Sequence, residues 1–356
     1  MYIIAEIGQT HEGSVNQCIA FIDAIKKAGA NAVKFQMHIA DEESSPNEEW
    51  RTKFSFQDAT RYDYWKRMEF SLQQWQTIRN YAKEKKLDFI CSPFSEKAVD
   101  YLSLLNVDAW KVGSGEVISY NMIDKIIKTN KPIYISSGMS DWNEIDEFIG
   151  YLKNKHANFT VMHCTTQYPT PLENVGINNI TEMKKRYNTP VGLSDHSGTI
   201  YPALYAYFLE AEAIEIHVTL SRYMFGPDVS SSLDIDELTQ LVKMLQNFEI
   251  LSECKTNKNL VSQKLIDIKN IFSKKAIAKK NIDALSPISL IDFEFKKAKE
   301  CGISELFLRE AIGEKIIKNI KAGNVLTADY FDKKTYNQIM KKVEKKHNFY
   351  VKKAIQ

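Results

Sequence analysis

Eight times within the first ~250 residues, a short apolar run ends in polar side chains and gives way to an amphipathic stretch. The runs are residues 2–7, 32–36, 88–91, 109–112, 132–136, 160–164, 191–194 and 213–218. They are near-continuous in apolar residues, the pattern of a strand covered on both faces. Helical periodicity occupies intervals such as 15–28, 72–85, 121–129, 142–154 and 232–251. Strand–helix alternation implies parallel strands, because each helix carries the chain back to the same starting edge. Eight such units have the size of a closed (β/α)8 TIM barrel. An open doubly wound sheet is the competing arrangement. The strand count is eight and no G-x-G-x-x-G opens the first helix, so a barrel is expected.

In such a barrel the carboxyl ends of all strands meet at one mouth. Here those ends carry Glu6, Lys34, Gln36, Ser92, Lys111, Ser114, Ser136, His163, Thr165, Ser194, Asp195, His196, Glu215 and His217. Strand ends that serve structure alone do not need this chemistry, so an enzyme is expected. Residues 37–71 form a long connection after the second strand, rich in aromatic and charged side chains (Trp50, Phe54, Phe56, Tyr62, Tyr64, Trp65). Loops of this length serve as lids or binding segments, or pack as insertions on the rim.

His196 and His217 end consecutive strands, and neighbouring parallel strands lie about 4.8 Å apart. Two imidazoles so placed can share one divalent ion and leave positions open for substrate. His11 and His163 fit better as residues that position loops or substrate. Lys34 and Lys111 point into the mouth, where they can hold an anion or pair with Glu6. Ser92, Ser114, Ser136 and Ser194 add the hydroxyl donors a phosphate takes. Gly113 and Gly115 flank Ser114 and let backbone amides approach a ligand. Glu6 can act as a base, stabilise a developing cation, or bridge to Lys34.

Composition narrows the setting. No apolar run reaches the roughly 18–20 residues of a membrane span, and residues 1–6 lack the features of a signal peptide. Five scattered cysteines without a C-x-x-C pair argue against a disulfide framework and for a reducing cytoplasm. From Glu253 onward 23 Lys and Arg face 12 Asp and Glu. This basic excess reads as a solvated lysine-rich surface rather than a nucleic-acid site.

The segments IIAEIGQTHEGS (3–14), VKFQ (33–36), SPF (92–94), WKVGSGE (110–116), ISSGM (135–139), HCTTQYPT (163–170), GLSDH (192–196), IHVT (216–219) and FGPD (225–228) together resemble the N-acetylneuraminate (sialic acid) synthase family. The resemblance covers nearly the whole barrel, in order. It implies condensation of phosphoenolpyruvate with an open-chain N-acyl hexosamine to a nine-carbon 2-keto acid. It implies Mn2+, or Mg2+ or Co2+, on His196 and His217. Phosphoenolpyruvate would be gripped by Lys34, Ser92, Lys111, Ser114, Ser136 and Ser194. Gln36, Glu116, Thr166, Tyr168 and Asp228 would meet the sugar, with Glu6 near the reacting carbon.

The resemblance also implies a barrel at 1–254, a linker at 255–272, and an antifreeze-like (SAF) domain with a lysine-rich tail at 273–356. That domain is exchanged within a homodimer in the family. Two departures bear on the sugar. No Arg-Pro-Gly segment occurs near 295–302, where the sequence reads FKKAKECG. Thr166 stands where relatives often have Asn. N-acetylmannosamine-like, legionaminic-type and pseudaminic-type sugars all stay open. So does a Schiff-base aldolase using Lys34 or Lys111.

Overall fold

The structure, a computed structural model, describes residues 1–50 and 53–355, with side-chain surroundings through His347. Arg51 and Thr52 of the long connection, and Gln356 of the basic tail, lie outside the described residues. The chain forms two compact units, Met1–Glu253 and Cys254–Gln356.

The first unit is a closed barrel of eight parallel strands: β1 (Tyr2–Glu6), β2 (Ala32–Met37), β3 (Asp88–Pro93), β4 (Ala109–Val112), β5 (Ile133–Ser136), β6 (Phe159–Cys164), β7 (Val191–Asp195) and β8 (Ala213–Thr219). Closure comes from β1 against β8, in register from Tyr2↔Ala213 to Glu6↔His217. The strand period of two sorts the side chains into two sets. Ile3, Ala5, Val33, Phe35, Phe89, Trp110, Ile135, Val161, Leu193 and Ile216 face outward into the main core. Helical residues such as Phe21, Ile25, Trp75, Ile78, Leu102 and Leu245 belong to the same core. The inward set forms a smaller cluster of Ile4, Ala32, Ile90, Ala109, Met162 and Ala213. Tyr2 and Tyr134 pack on that cluster with rings stacked 6.2 Å apart, closing the amino-terminal end.

Local chemistry places the helices. Ser14 caps the helix Val15–Ala28 by accepting from the Gln17 amide. Gly29 ends that helix in the left-handed region at φ 92°, where a side chain would be strained. Capping boxes start Arg61–Met68 (Thr60 with Asp63), Leu72–Glu84 (Ser71 with Gln74) and Trp142–Asn154 (Asp141 with Glu144). The connection after β2 contains the helices Ala40–Glu43 and Arg61–Met68. The last barrel helix starts later than its periodicity suggests, at Ile235, because Leu233–Asp234 first pairs as β9 with Val218 and Thr219.

The second unit has its own core, including Ala276, Ile288, Phe293, Phe307, Leu308, Ile316, Leu326, Phe331 and Ile339. Its hairpin pairs β10 (Lys274–Ala278) antiparallel with β11 (Phe293–Lys297). Residues 255–272, expected as linker, hold two short helices, Lys258–Lys264 and Ile266–Phe272, with no buried residue. No helix among the described residues is long and apolar enough to cross a membrane.

The barrel interior is full at its apolar level. A Cβ on Gly192 would lie 2.5 Å from the Ala213 carbonyl oxygen and 2.5 Å from Met162 Sδ. Gly192→Ala is therefore expected to destabilise the protein by about 1–3 kcal/mol, seen as a lowered Tm in thermal denaturation. An unchanged Tm would show that the inner layer has room to give.

Candidate active site

Two residues beyond the inner apolar layer, each barrel strand again points inward. From β1 to β8 these positions hold Glu6, Lys34, Ser92, Lys111, Ser136, Cys164, Ser194 and Glu215. Every one is buried. Two residues further along come Gly8, Gln36, Phe94, Gly113, Gly138, Thr166, His196 and His217. A cleft of about 860 Å³ opens here, walled by both tiers and by the connection after β2. The glycines leave it space. A Cβ on Gly8, at φ +56°, would sit 3.1 Å from Asp228 Oδ2, and one on Gly138 would sit 2.3 Å from Thr166 Oγ1.

The floor is an ion network. Lys34 Nζ donates to Glu6 Oε2 at 2.6 Å, and Gln36 Nε2 donates to Glu6 Oε1 at 2.7 Å. Glu215 Oε1 lies 3.2 Å from Lys34 Nζ and 3.3 Å from Lys111 Nζ, and accepts from Ser194 Oγ at 3.3 Å. Lys111 Nζ also donates to Ser136 Oγ at 2.7 Å. Burial pushes the Glu215 carboxyl up, but Lys111, Lys34 and His217 together hold it down at about 2. Burial works against the Lys34 cation, and Glu215 and Glu6 more than restore it. For Lys111 burial wins, and its ammonium is weakened. Two lysines thus share two carboxylates, and the floor carries no net charge.

One corner holds the histidines. The His196 and His217 ring centroids are 5.2 Å apart. His196 Nδ1 lies 2.9 Å from the Thr165 carbonyl oxygen, which can only accept. The proton therefore stays on Nδ1, and the lone pair on Nε2 faces Tyr168 Oη at 3.0 Å. Burial disfavours the His196 cation, but Cys164 and the Thr165 carbonyl raise its pKa on balance. His217 is held neutral by burial and by the nearby charges of His196 and Lys34. Its Nδ1 is buried without a hydrogen-bond partner, 3.9 Å from Asp228 Oδ2.

The outer wall comes from the connection after β2. His38 is stacked between Trp65 (centroids 4.0 Å apart) and Phe94 (4.4 Å). Its Nδ1 meets Glu43 Oε1 at 2.6 Å, and its Nε2 meets Gln36 Oε1 at 3.2 Å. Trp50, Phe54, Tyr64, Arg61 and Glu48 complete this wall. Glu116 also lines the cleft, its carboxyl raised mainly by burial and further by the charge of Glu43.

The structure brings the residues singled out from the sequence to one place. Lys34, Gln36, Ser92, Lys111, Ser114, Glu116, Ser136, Thr166, Tyr168, Ser194, His196, His217 and Asp228 all line the cleft. Glu6 stands apart. It is fully buried beneath the wall, with both oxygens taken by Lys34 and Gln36. The carboxylate facing the cleft at this level is Glu215, whose Oε2 has no hydrogen-bond partner. His11 packs on Phe70 outside the cleft lining. His163 Nε2 donates to the Val175 carbonyl and positions a loop. Sequence reasoning gave no role to Glu215, Cys164 or His38. The strand period offered a signal for each: Glu215 is two before His217, Cys164 two before Thr166, and His38 two after Gln36.

The profile of the NeuB family matches residues 21–257. The chain belongs to the NeuB family. This is the sialic acid synthase family, and the chain is an enzyme. The N,N'-diacetyllegionaminic acid synthase of Campylobacter jejuni is 32% identical over 91% of this chain and 98% of its own length. The mouse N-acetylneuraminate-9-phosphate synthase is 29% identical over 90% and 89%. The crystal structure of the N-acetylneuraminic acid (sialic acid) synthetase of Leptospira borgpetersenii, in complex with citrate, superposes with a TM-score of 0.65. It shares 27% identity over 76% of this chain and 92% of its own.

The NeuB cleft floor depends on Glu215. Replacing it by Gln leaves two buried ammonium groups against one carboxylate. Glu215→Gln is expected to cost about 3–5 kcal/mol, measured by chemical denaturation. A wild-type midpoint would show that Glu6 alone neutralises both lysines.

Proposed function

We propose that this enzyme condenses phosphoenolpyruvate with an open-chain N-acyl amino-hexose, giving a nine-carbon 2-keto sugar acid and inorganic phosphate. The observation that carries this reading is two adjacent imidazoles, His196 and His217, beside a neutral floor of lysines, carboxylates and hydroxyls in one cleft. A floor with no net charge needs a compensating cation before it can hold a trianion such as phosphoenolpyruvate. His196 and His217, with Asp228 beside them, would hold a divalent ion, Mn2+ in preference to Mg2+ or Co2+. The fit rests on the lone pair of His196 Nε2 and the unpartnered Nδ1 of His217. When bound, such an ion polarises the aldehyde oxygen of the sugar.

The chain's own residues do the rest. Lys34, Lys111 and the hydroxyls of Ser92, Ser114, Ser136 and Ser194 take the phosphate and carboxylate of phosphoenolpyruvate. Gln36, Glu116, Thr166, Tyr168 and Asp228 orient the sugar. The C3 carbon of phosphoenolpyruvate attacks the aldehyde carbon, whose oxygen takes up a proton. Positive charge develops at C2. Glu215 has a free carboxylate oxygen at the cleft wall to face it. Glu6 works from below, by fixing Lys34 and Gln36. Water adds to C2 and releases a proton; the bond between C2 and the bridging phosphate oxygen then breaks, the new C2 hydroxyl gives up its proton to the departing phosphate, and the keto group forms. Holding both reactants in one cleft supplies much of the rate.

The second unit is read as the antifreeze-like module of the family, exchanged between the subunits of a homodimer. Its separate core and hairpin suit an independent module. The free, buried Cys18, Cys91 and Cys164 support a cytoplasmic setting. A Schiff-base aldolase is the second reading, favoured by the weakened ammonium of Lys111.

EDTA is expected to abolish phosphate release from phosphoenolpyruvate and a panel of amino-hexoses, and Mn2+ to restore it. His217→Ala should lower kcat by roughly 100-fold or more and remove a bound-Mn2+ signal in electron paramagnetic resonance. Full activity in that variant would sink the metal assignment. Borohydride trapping of substrate on Lys111 would instead establish the aldolase.

A further inference from the structure

His38 follows Gln36 by two residues, just past the end of β2. Its ring is fixed on both faces and at both nitrogens. Trp65 stacks on one face with an interplanar angle of 15°, and Phe94 on the other at 12°. Glu43 Oε1 holds the ring at Nδ1, 2.6 Å away, and Nε2 lies 3.2 Å from Gln36 Oε1. The holders are fastened in turn. Trp65 Nε1 donates to Glu48 Oε2 at 3.1 Å, and Glu43 Oε2 accepts from the Ile39 amide at 3.4 Å.

The Gln36 amide has one possible direction. Its Nε2 lies 2.7 Å from Glu6 Oε1. A carboxylate only accepts, so the NH2 end faces Glu6 and the carbonyl end faces away. Oε1 then meets Gln9 Nε2 at 3.3 Å and His38 Nε2 at 3.2 Å. Since Oε1 can only accept, His38 Nε2 is the donor. Turning the amide over would set its oxygen against the Glu6 carboxylate and its NH2 against two other N–H groups. Both lone pairs of Oε1 are used, and one N–H of Nε2 is left. Gln36, which lines the cleft, therefore has a donor to offer there and no acceptor.

Resting on the condensation proposed above, in which Gln36 orients the sugar, we infer that His38 is a positioning residue: its Nε2–H fixes the Gln36 amide so that the remaining Gln36 N–H meets an oxygen of the amino sugar. Glu6 alone holds one end of the amide and leaves it free to swing. The His38 bond holds the other end, and two anchors fix a planar group. Gln9 adds a weaker third contact, because its own Oε1 has no hydrogen-bond partner. Lys34 does not depend on His38. It is held by the other oxygen of Glu6 at 2.6 Å and by Glu215. The effect is therefore confined to the sugar.

The test is steady-state kinetics of the full chain with Mn2+, varying phosphoenolpyruvate and then the most active N-acyl hexosamine of the panel. His38→Phe keeps a ring between Trp65 and Phe94 and loses both hydrogen bonds. His38→Asn can reach Glu43 but not Gln36. His38→Gln carries an N–H to the place of Nε2. The Phe and Asn variants should raise the amino-sugar KM by about 10-fold and leave the phosphoenolpyruvate KM as it was, while the Gln variant recovers most of the loss. KM does not depend on the amount of folded enzyme, so a variant that partly unfolds still reports. A wild-type sugar KM in the Phe and Asn variants overturns the inference, as does a Gln variant no better than Phe, or an equal rise for both substrates. In each of these cases the condensation stands. If the wild type releases no phosphate with any sugar, the condensation falls and this role of His38 with it.

Discussion

One oxygen of Glu215 faces both Lys34 and Lys111 and accepts from Ser194 as well. The site is built outward from this contact. A charge inside a closed sheet is tolerable only when it is paired and hydrogen-bonded. Four strands, β1, β2, β4 and β8, each contribute one member of the network at the same inward level. Four others contribute serine or cysteine there. The network fixes where the lysine ammonium groups point before any ligand arrives, which is the preorganisation that electrostatic catalysis needs. It also ties the fold to the cleft at this level, since Lys34, Lys111 and Glu215 both keep the barrel interior neutral and line the cleft.

The barrel was legible because its strands are apolar on both faces, and its mouth because polar residues follow each run. The two histidines could be paired from their places on consecutive strands alone. Three things were not legible at that level. Glu6 pairs in register with His217, yet it lies beneath the cleft wall. Depth within a barrel depends on the stagger between strands, which no single strand reports. Glu215 was placed at the mouth with His217 but given no role of its own, although the period of two puts both on the inner face. The wall after β2 could be recognised as unusual from its length and aromatics. Its fold, with His38 clasped between Trp65 and Phe94, depends on contacts between residues 27 and 56 positions apart.

In the second unit, sequence composition and structure speak to different properties. The lysine excess describes the surface, and the separate core describes an independent module. The short helices at Lys258–Lys264 and Ile266–Phe272 show how a segment with apolar residues at helical spacing can form helix while burying none of them.

The tier above the ion network has glycine at three of its eight inward positions: Gly8, Gly113 and Gly138. Reactants in this cleft approach a protein surface that is partly bare backbone. The width of the opening is therefore set by missing side chains, while its outer wall comes from the connection after β2. Space left by an absent Cβ cannot be closed by a side-chain rotation, so this breadth belongs to the backbone itself.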